Sequence, residues 1–191
     1  MKKLSEKNII LNNSDIEKKI QRISLQILED NIDEEGIVIF GISDNGLVIA
    51  KKLINHLSKI SNLKSNLIQV IIDKDDPIGS VKYDTKFDIN SSSVLIIDDV
   101  SQSGKTLQSV ISNLLIYKPN KIKTAVIVNR DQTLYPVKVD YIGISLSTSV
   151  NNHVSFISDK NNELSVYLLS LIHISEPTRR YAISYAVFCL K

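Results

Sequence analysis

The chain holds one cysteine, one methionine, no tryptophan, four prolines and six glycines among its 191 residues. A single cysteine, Cys189, excludes an intrachain disulfide and a cysteine-based zinc site. No apolar run approaches membrane-spanning length. The opening Met1-Lys2-Lys3-Leu4-Ser5-Glu6 leads into no apolar signal core, so a reducing cytoplasm and no membrane partner are expected. Neither sign of charge is in excess: 23 Lys+Arg face 21 Asp+Glu, for a net charge of +2. That balance gives no global argument for a nucleic-acid surface. It leaves Lys51, Lys52, Lys59, Lys64, Lys118, Lys121 and Lys123 as scattered candidates for an RNA contact. With 43% hydrophobic and 23% charged residues, the length suits one soluble domain with a sizeable core. Glycine is scarce, yet Gly41, Gly46 and Gly104 sit in candidate ligand loops, where backbone geometry is needed.

The most informative stretch runs from Ser93 to Leu107. Val94-Leu95-Ile96-Ile97 is a short, β-branched apolar run that suits a buried parallel strand. Asp98 and Asp99 follow at its C-terminal end, then the small-residue loop Val100-Ser101-Gln102-Ser103-Gly104-Lys105, then a helical pattern from Thr106. Open α/β sheets place ligands at such crossings, and a helix start offers backbone N–H groups to an anion. A Walker A loop is the competing reading, but it needs a glycine where Asp99 stands. Two carboxylates repel a triphosphate and suit sugar hydroxyls, which donate hydrogen bonds. Diol on the carboxylates and monophosphate in the loop describe a ribose 5-phosphate.

The rest of the chain alternates strand and helix. Ile9-Ile10-Leu11 is a short strand candidate, and Ser14-Asp15-Ile16-Glu17 reads as a capping box. Ile16, Ile20, Ile23 and Ile27 then give a helix with one buried face, to about Asn31. Ile37–Phe40 is a buried strand that leads into the loop Gly41-Ile42-Ser43-Asp44-Asn45-Gly46. Leu47, Ala50, Leu53, Ile54 and Leu57 stripe the next helix, and Leu67–Ile72 is a third strand. Asp73 to Ser80, with Val81 to Asn90, forms a long polar excursion of the kind that serves as a lid. After the signature helix (Leu107, Val110, Ile111, Leu114, Leu115) come strands at Ile122–Val128, Val139–Ile142, Val154–Ile157 and Leu164–Leu168, the last two joined by an Asp159–Glu163 turn. This order predicts an α/β fold with a parallel sheet and right-handed crossovers. His56 and His153 lack a partner at ligand spacing and read as solvated or structural.

The Ser93–Leu107 stretch resembles the phosphoribosyl diphosphate (PRPP) signature of type I phosphoribosyltransferases. The resemblance implies that fold: a central parallel sheet flanked by helices, a small hood and a flexible lid loop. It implies that Asp98 and Asp99 hold the ribose hydroxyls, that Val100, Ser101, Gln102, Ser103, Gly104, Lys105 and Thr106 complete the PRPP site, and that Ser43, Asp44, Asn45 and Gly46 form a diphosphate loop, often with a strained or cis peptide. Three further stretches are similar to the pyrimidine-operon regulator (PyrR) family, which has uracil phosphoribosyltransferase activity. They are Ile10–Gly41, Val126–Val137 and Asp140–Leu168, so the resemblance covers about residues 9–168.

By that resemblance the reaction is uracil plus PRPP giving UMP and diphosphate, with magnesium carried mainly by PRPP and no direct protein ligand. Asp98, Asp99 and the lid residue Lys74 are the catalytic candidates. Arg130, with Ser147-Thr148-Ser149, lies near the base; the bare residues equally allow Arg130 a surface ion pair with Asp131 or Asp140. A homodimer is the expected assembly. Two departures stand out. The family's Thr-Arg-Gly diphosphate loop is here Asp44-Asn45-Gly46, and its Arg-Asp-Asp at the lid is Lys74-Asp75-Asp76. Alternatives are a nucleotide-sensing RNA regulator with little turnover, and a transferase for another base. Residues 1–169 are read as the transferase domain. Residues 170–191 resemble translated sequencing-adapter read-through and are set apart from the fold.

Overall fold

A computed structural model of the chain describes residues 5–73, 76–77, 79, 81–131, 133–147, 152–159 and 163–171. Its elements in order are β1 (Ser5–Leu11), α1 (Asn13–Asp30), β2 (Gly36–Ile42), α2 (Ser43–Ile60), β3 (Lys64–Ile71), β4 (Lys82–Tyr83), β5 (Ser93–Ser101), α3 (Lys105–Leu114) with a short 3-10 turn Leu115–Tyr117, β6 (Lys121–Arg130), β7 (Tyr141–Leu146), β8 (Asn152–Ser158) and β9 (Leu164–Leu171). The main sheet has the order β4-β3-β2-β5-β6-β7. Strands β3, β2, β5, β6 and β7 pair in parallel, and β4 closes one edge antiparallel to β3. A second, antiparallel sheet, β1-β9-β8, brings both ends of the described chain together.

Strand order decides where a ligand can sit. From β2 the chain crosses to β3 on one side and then to β5 on the other, so β2 and β5 are neighbours whose connections leave in opposite directions. Their C-terminal ends form the crevice in which open α/β sheets bind ligands.

Two apolar clusters sandwich the main sheet. The first joins Ile16, Ile20, Ile23 and Ile27 of α1 with Ile49, Ala50, Leu53 and Leu57 of α2, and reaches Val154, Phe156 and Val166 of the small sheet. The second packs Leu107, Val110 and Leu114 of α3 against Phe40, Ile96 and Val126. The isoleucine stripe of α1 is therefore buried as its spacing predicts.

Several expectations shift. The capping box of α1 is Asn12–Asp15, not Ser14–Glu17: Asp15 N–H donates to Asn12 Oδ1 (2.9 Å) and Asn12 N–H to Asp15 Oδ2 (3.3 Å). Ser14 falls inside the first turn, and Glu17 turns toward α2. Leu115 opens the 3-10 turn and faces solvent instead of extending the α3 stripe. The last strand of the main sheet starts at Tyr141, two residues later than Val139. Part of the polar excursion packs into the core. Phe87 and Ile89 pack into the second cluster, and Phe40, Tyr83, Phe87 and Tyr117 meet edge to face or tilted, with ring centroids 4.6–5.7 Å apart. The sequence shows no period there because single aromatics, not a stripe, do the packing. Strand β9 runs through Ser170 and Leu171, which pair with Glu6 and Ser5, so the boundary drawn at 169 falls inside a strand. The remainder of the tail lies outside the described residues.

Candidate active site

A cavity of about 660 Å³ opens at the β2–β5 crevice. Strand β5 delivers Asp98 and Asp99 to it, 2% and 7% exposed. Each carboxylate folds back on the next amide: Asp99 N–H donates to Asp98 Oδ1 and Val100 N–H to Asp99 Oδ1, both at 2.9 Å. The loop Ser101–Gly104 then turns through Gly104, whose φ of 80° lies in the left-handed region that glycine tolerates. A Cβ there would also stand 3.3 Å from the Tyr135 carbonyl oxygen.

That crowding reflects a brace from the segment after β6. Leu134 N–H and Tyr135 N–H both donate to the Ser103 carbonyl, at 2.9 and 3.0 Å. Lys105 N–H donates to Ser103 Oγ at 3.3 Å. Among the described residues, Ser101 Oγ has no hydrogen-bond partner; it is buried in the cavity wall, with Ser101 only 3% exposed. A buried hydroxyl left this way is a demand for a ligand or water.

A second helix starts at the same cavity. Strand β2 passes into α2 with no intervening loop, because Ser43 takes a left-handed φ of 55°. For a residue with a Cβ, that is a strained turn. The expected Gly41–Gly46 loop is thus a junction, with Gly41 and Ile42 in the strand and Ser43, Asp44, Asn45 and Gly46 in the first turn of α2. Neither α2 nor α3 has a side-chain cap at its N-cap residue. Two sets of first-turn amides, each at the positive end of a helix, therefore border one cavity, which is anion-binding chemistry. Ser43, Asp44 and Asn45 line it. Gln69 Nε2 donates to Asp44 Oδ1 at 3.1 Å, and Asn45 Nδ2 donates to Asp99 Oδ2 at 2.7 Å. The far wall is β8, through His153, Val154, Ser155 and Phe156. Carboxylates thus stand beside first-turn amides in one cavity of about 660 Å³.

Comparison with known proteins identifies this arrangement. The family model for the phosphoribosyl transferase domain matches residues 6–161. The chain belongs to the phosphoribosyltransferase family. Among curated relatives, the bifunctional protein PyrR of Clostridium kluyveri is 30% identical over 172 residues, covering 84% of this chain and 97% of that protein. The bifunctional protein PyrR of Geobacter sp. strain M21 is 26% identical over 177 residues, covering 87% and 99%. Among solved structures, the hypoxanthine phosphoribosyltransferase of Trypanosoma cruzi superposes with a TM-score of 0.68 at 16% identity, over 83% of this chain and 95% of that one. A hypoxanthine-guanine phosphoribosyltransferase from Bacillus anthracis gives 0.63 at 19%, over 76% and 84%. Those two likenesses establish the type I α/β fold, and the PyrR relatives place the chain as a PyrR-like, PRPP-binding phosphoribosyltransferase.

Within that family, the cavity gathers most of the residues singled out from sequence and omits a few. Asp98, Asp99, Val100, Ser101, Gln102, Ser103, Gly104 and Thr106 line it together with Ser43, Asp44 and Asn45. Lys105 does not. It lines a separate cavity of about 390 Å³ on the outer side of α3, with Ser109 and Tyr135, because the first turn of the helix points its side chain away from the sheet end. Arg130, at the end of β6, is 4% exposed and absent from the lining, so it is buried instead of on the surface, and Asp140 pairs with Lys123 at 3.2 Å. Lys74, Asp75, Thr148 and Ser149 lie outside the described residues. The described part of the lid does not line the cavity, and Ser109 Oγ donates to the Pro77 carbonyl, which ties that segment to α3. No peptide at the Gly41–Gly46 junction is cis; the strain sits in Ser43 φ. Sequence reasoning missed β8 as a wall. His153 and Ser155 carry no local signal, since their place depends on how the small sheet packs.

Proposed function

We propose that the chain transfers the phosphoribosyl group of PRPP to uracil, giving UMP and diphosphate. The observation that carries this reading is the pair Asp98–Asp99 set between the N-termini of α2 and α3 in a PyrR-like chain. Asp98 and Asp99 accept hydrogen bonds from the ribose hydroxyls. The amides from Ser101 to Thr106 and the start of α3 take the 5-phosphate, and Ser101 Oγ finds its missing partner there. The backbone amides at the start of α2, from Ser43 to Gly46, face the diphosphate. The base, with Arg130 as its expected neighbour, enters from the β8 side.

The C1–oxygen bond to diphosphate breaks as the bond from C1 to uracil N1 forms, through an oxocarbenium-like transition state, and the N1 proton leaves to the departing diphosphate or to water. The protein acts by holding the sugar in line and by stabilising charge, with little acid–base work. The donor set of the lining is carboxylate, hydroxyl and amide oxygen, which fits magnesium, a cation that prefers oxygen ligands and keeps waters and substrate oxygens. Asp98 and Asp99 are the side chains that could approach it, and when bound it neutralises diphosphate charge. Lys74 supplies a further positive charge from the lid. A homodimer in the cytoplasm is the proposed setting, with the lone cysteine in keeping with a reducing compartment.

One observation favours a second reading, a nucleotide-sensing regulator with little turnover. Among the described residues lining the cavity, Asp44, Asp98 and Asp99 are joined by no lysine or arginine. Calorimetric titration with PRPP–Mg and UMP, followed by diphosphate release with a panel of bases, separates the readings. Brisk release with uracil alone supports the first. Tight UMP binding without release from any base supports the second, and release with a purine only replaces uracil with another base.

A further inference from the structure

We propose that Asn45 is a positioning residue for Asp99, acting on the ribose end of the site and not on the leaving diphosphate. This rests on the reading of Asp99 as a ribose ligand. Asn45 stands in the first turn of α2, 54 residues from Asp99 in sequence, yet its Nδ2 donates to Asp99 Oδ2 at 2.7 Å. An ionised carboxylate only accepts, so the amide must present its nitrogen to it. Val100 N–H holds the other oxygen, Oδ1, at 2.9 Å. With a donor on each oxygen, the carboxylate cannot rotate about its Cβ–Cγ bond without losing one of them. Each oxygen takes more than one donor, so these contacts orient the group while leaving it able to accept hydroxyls.

The backbone is built to make this short side chain reach. Ser43 in the left-handed region starts α2 directly at the strand end. Gly46 lets the helix approach β5 so closely that a Cβ would sit 2.6 Å from the Ile97 carbonyl oxygen. At that separation an asparagine spans the gap to Asp99. Alanine cannot reach, and aspartate would set two carboxylates against each other.

The test titrates wild type, Asn45→Ala, Asp99→Asn and the double variant with PRPP–Mg, and then with ribose 5-phosphate and 2,3-dideoxyribose 5-phosphate. We expect Asn45→Ala to raise the Kd for PRPP and ribose 5-phosphate by about tenfold, the scale of one charge-assisted hydrogen bond. The dideoxy sugar should bind equally to both proteins, and Asn45→Ala should add nothing once Asp99 is Asn. A penalty of equal size on the dideoxy sugar, or one that persists beside Asp99→Asn, overturns the positioning role. Wild type that fails to bind PRPP overturns the underlying site reading instead. If Asn45→Ala proves too unstable to titrate, Asn45→Leu, of nearly the same shape and uncharged, gives the same comparison, with a loss confined to hydroxylated sugars expected and a uniform loss refuting it.

Discussion

Gly46 in α2 lies against the Ile97 carbonyl of β5, where an added Cβ would stand 2.6 Å from the oxygen. This close approach sets the start of α2 beside the strand end that carries Asp98 and Asp99. Backbone cannot move aside as a flexible side chain can. We expect Gly46→Ala to lower stability by about 1–3 kcal/mol, the usual cost of overpacking a close-packed contact, and to weaken PRPP binding through displacement of α2. Urea unfolding and PRPP–Mg titration read the two effects; unchanged midpoint and affinity would show that the helix shifts freely.

The acidic pair should matter for ligand and not for folding. Asp98→Asn with Asp99→Asn keeps the shape of both side chains while removing both charges. Each lost charge-assisted hydrogen bond is worth about 1.5–3 kcal/mol. PRPP affinity should fall by about a hundredfold or more, with the melting temperature held within a few degrees. PRPP binding at wild-type strength would remove these residues from the site.

Asp44 sits among cavity-lining residues that include two further carboxylates. A polyanion entering there meets repulsion, softened by solvent because Asp44 is exposed and accepts from Gln69. Asp44→Asn should raise kcat/KM for PRPP by a few-fold at low salt, in line with about 1 kcal/mol or less for an exposed charge. The gain should shrink as salt rises. A gain independent of ionic strength would point to a change in shape, not charge.

Glu17 of α1 pairs with Lys52 and His56 of α2. Burial raises its pKa, but the hydrogen bonds and charges of Lys52 and His56 outweigh that, and the carboxyl is held below its ordinary 4.5. A depressed folded-state pKa means stability that is fully present above the unfolded value and lost as pH falls through the folded one. Glu17→Gln should therefore lower the melting temperature near neutral pH and leave it equal to wild type under strongly acidic conditions. A constant difference across the acid range would refute the linkage.

The chain's last segment gives a folding test. Ser170 and Leu171 extend β9 against β1, so truncation should be placed after Leu171. We expect removal of residues 172–191 to leave the melting temperature unchanged and to improve solubility, since the apolar window Tyr181–Leu190 goes with it. A sharp drop in melting temperature would make the tail part of the fold.

What the amino-acid order determined by itself is local. The run Val94–Ile97 followed by Asp98, Asp99 and Gly104 dictates a buried strand, two carboxylates at its end and a left-handed turn into a helix, because each feature depends only on neighbours in the chain. The stripe Ile16–Ile20–Ile23–Ile27 likewise dictates which face of α1 is buried. Tertiary structure decided what meets across that chain. It brought Asn45 to Asp99, and it set β8 opposite the acidic pair so that His153 and Ser155 became walls of the cavity. It turned Lys105 outward and buried Arg130, and it drew Phe87 and Ile89 out of an apparent lid into the core. These outcomes depend on how closely two backbones approach and on which faces of distant elements share a core. Periodicity reports that a face is apolar; the partner that covers it is chosen only when sheets and helices pack, as Gly46 does against the Ile97 carbonyl.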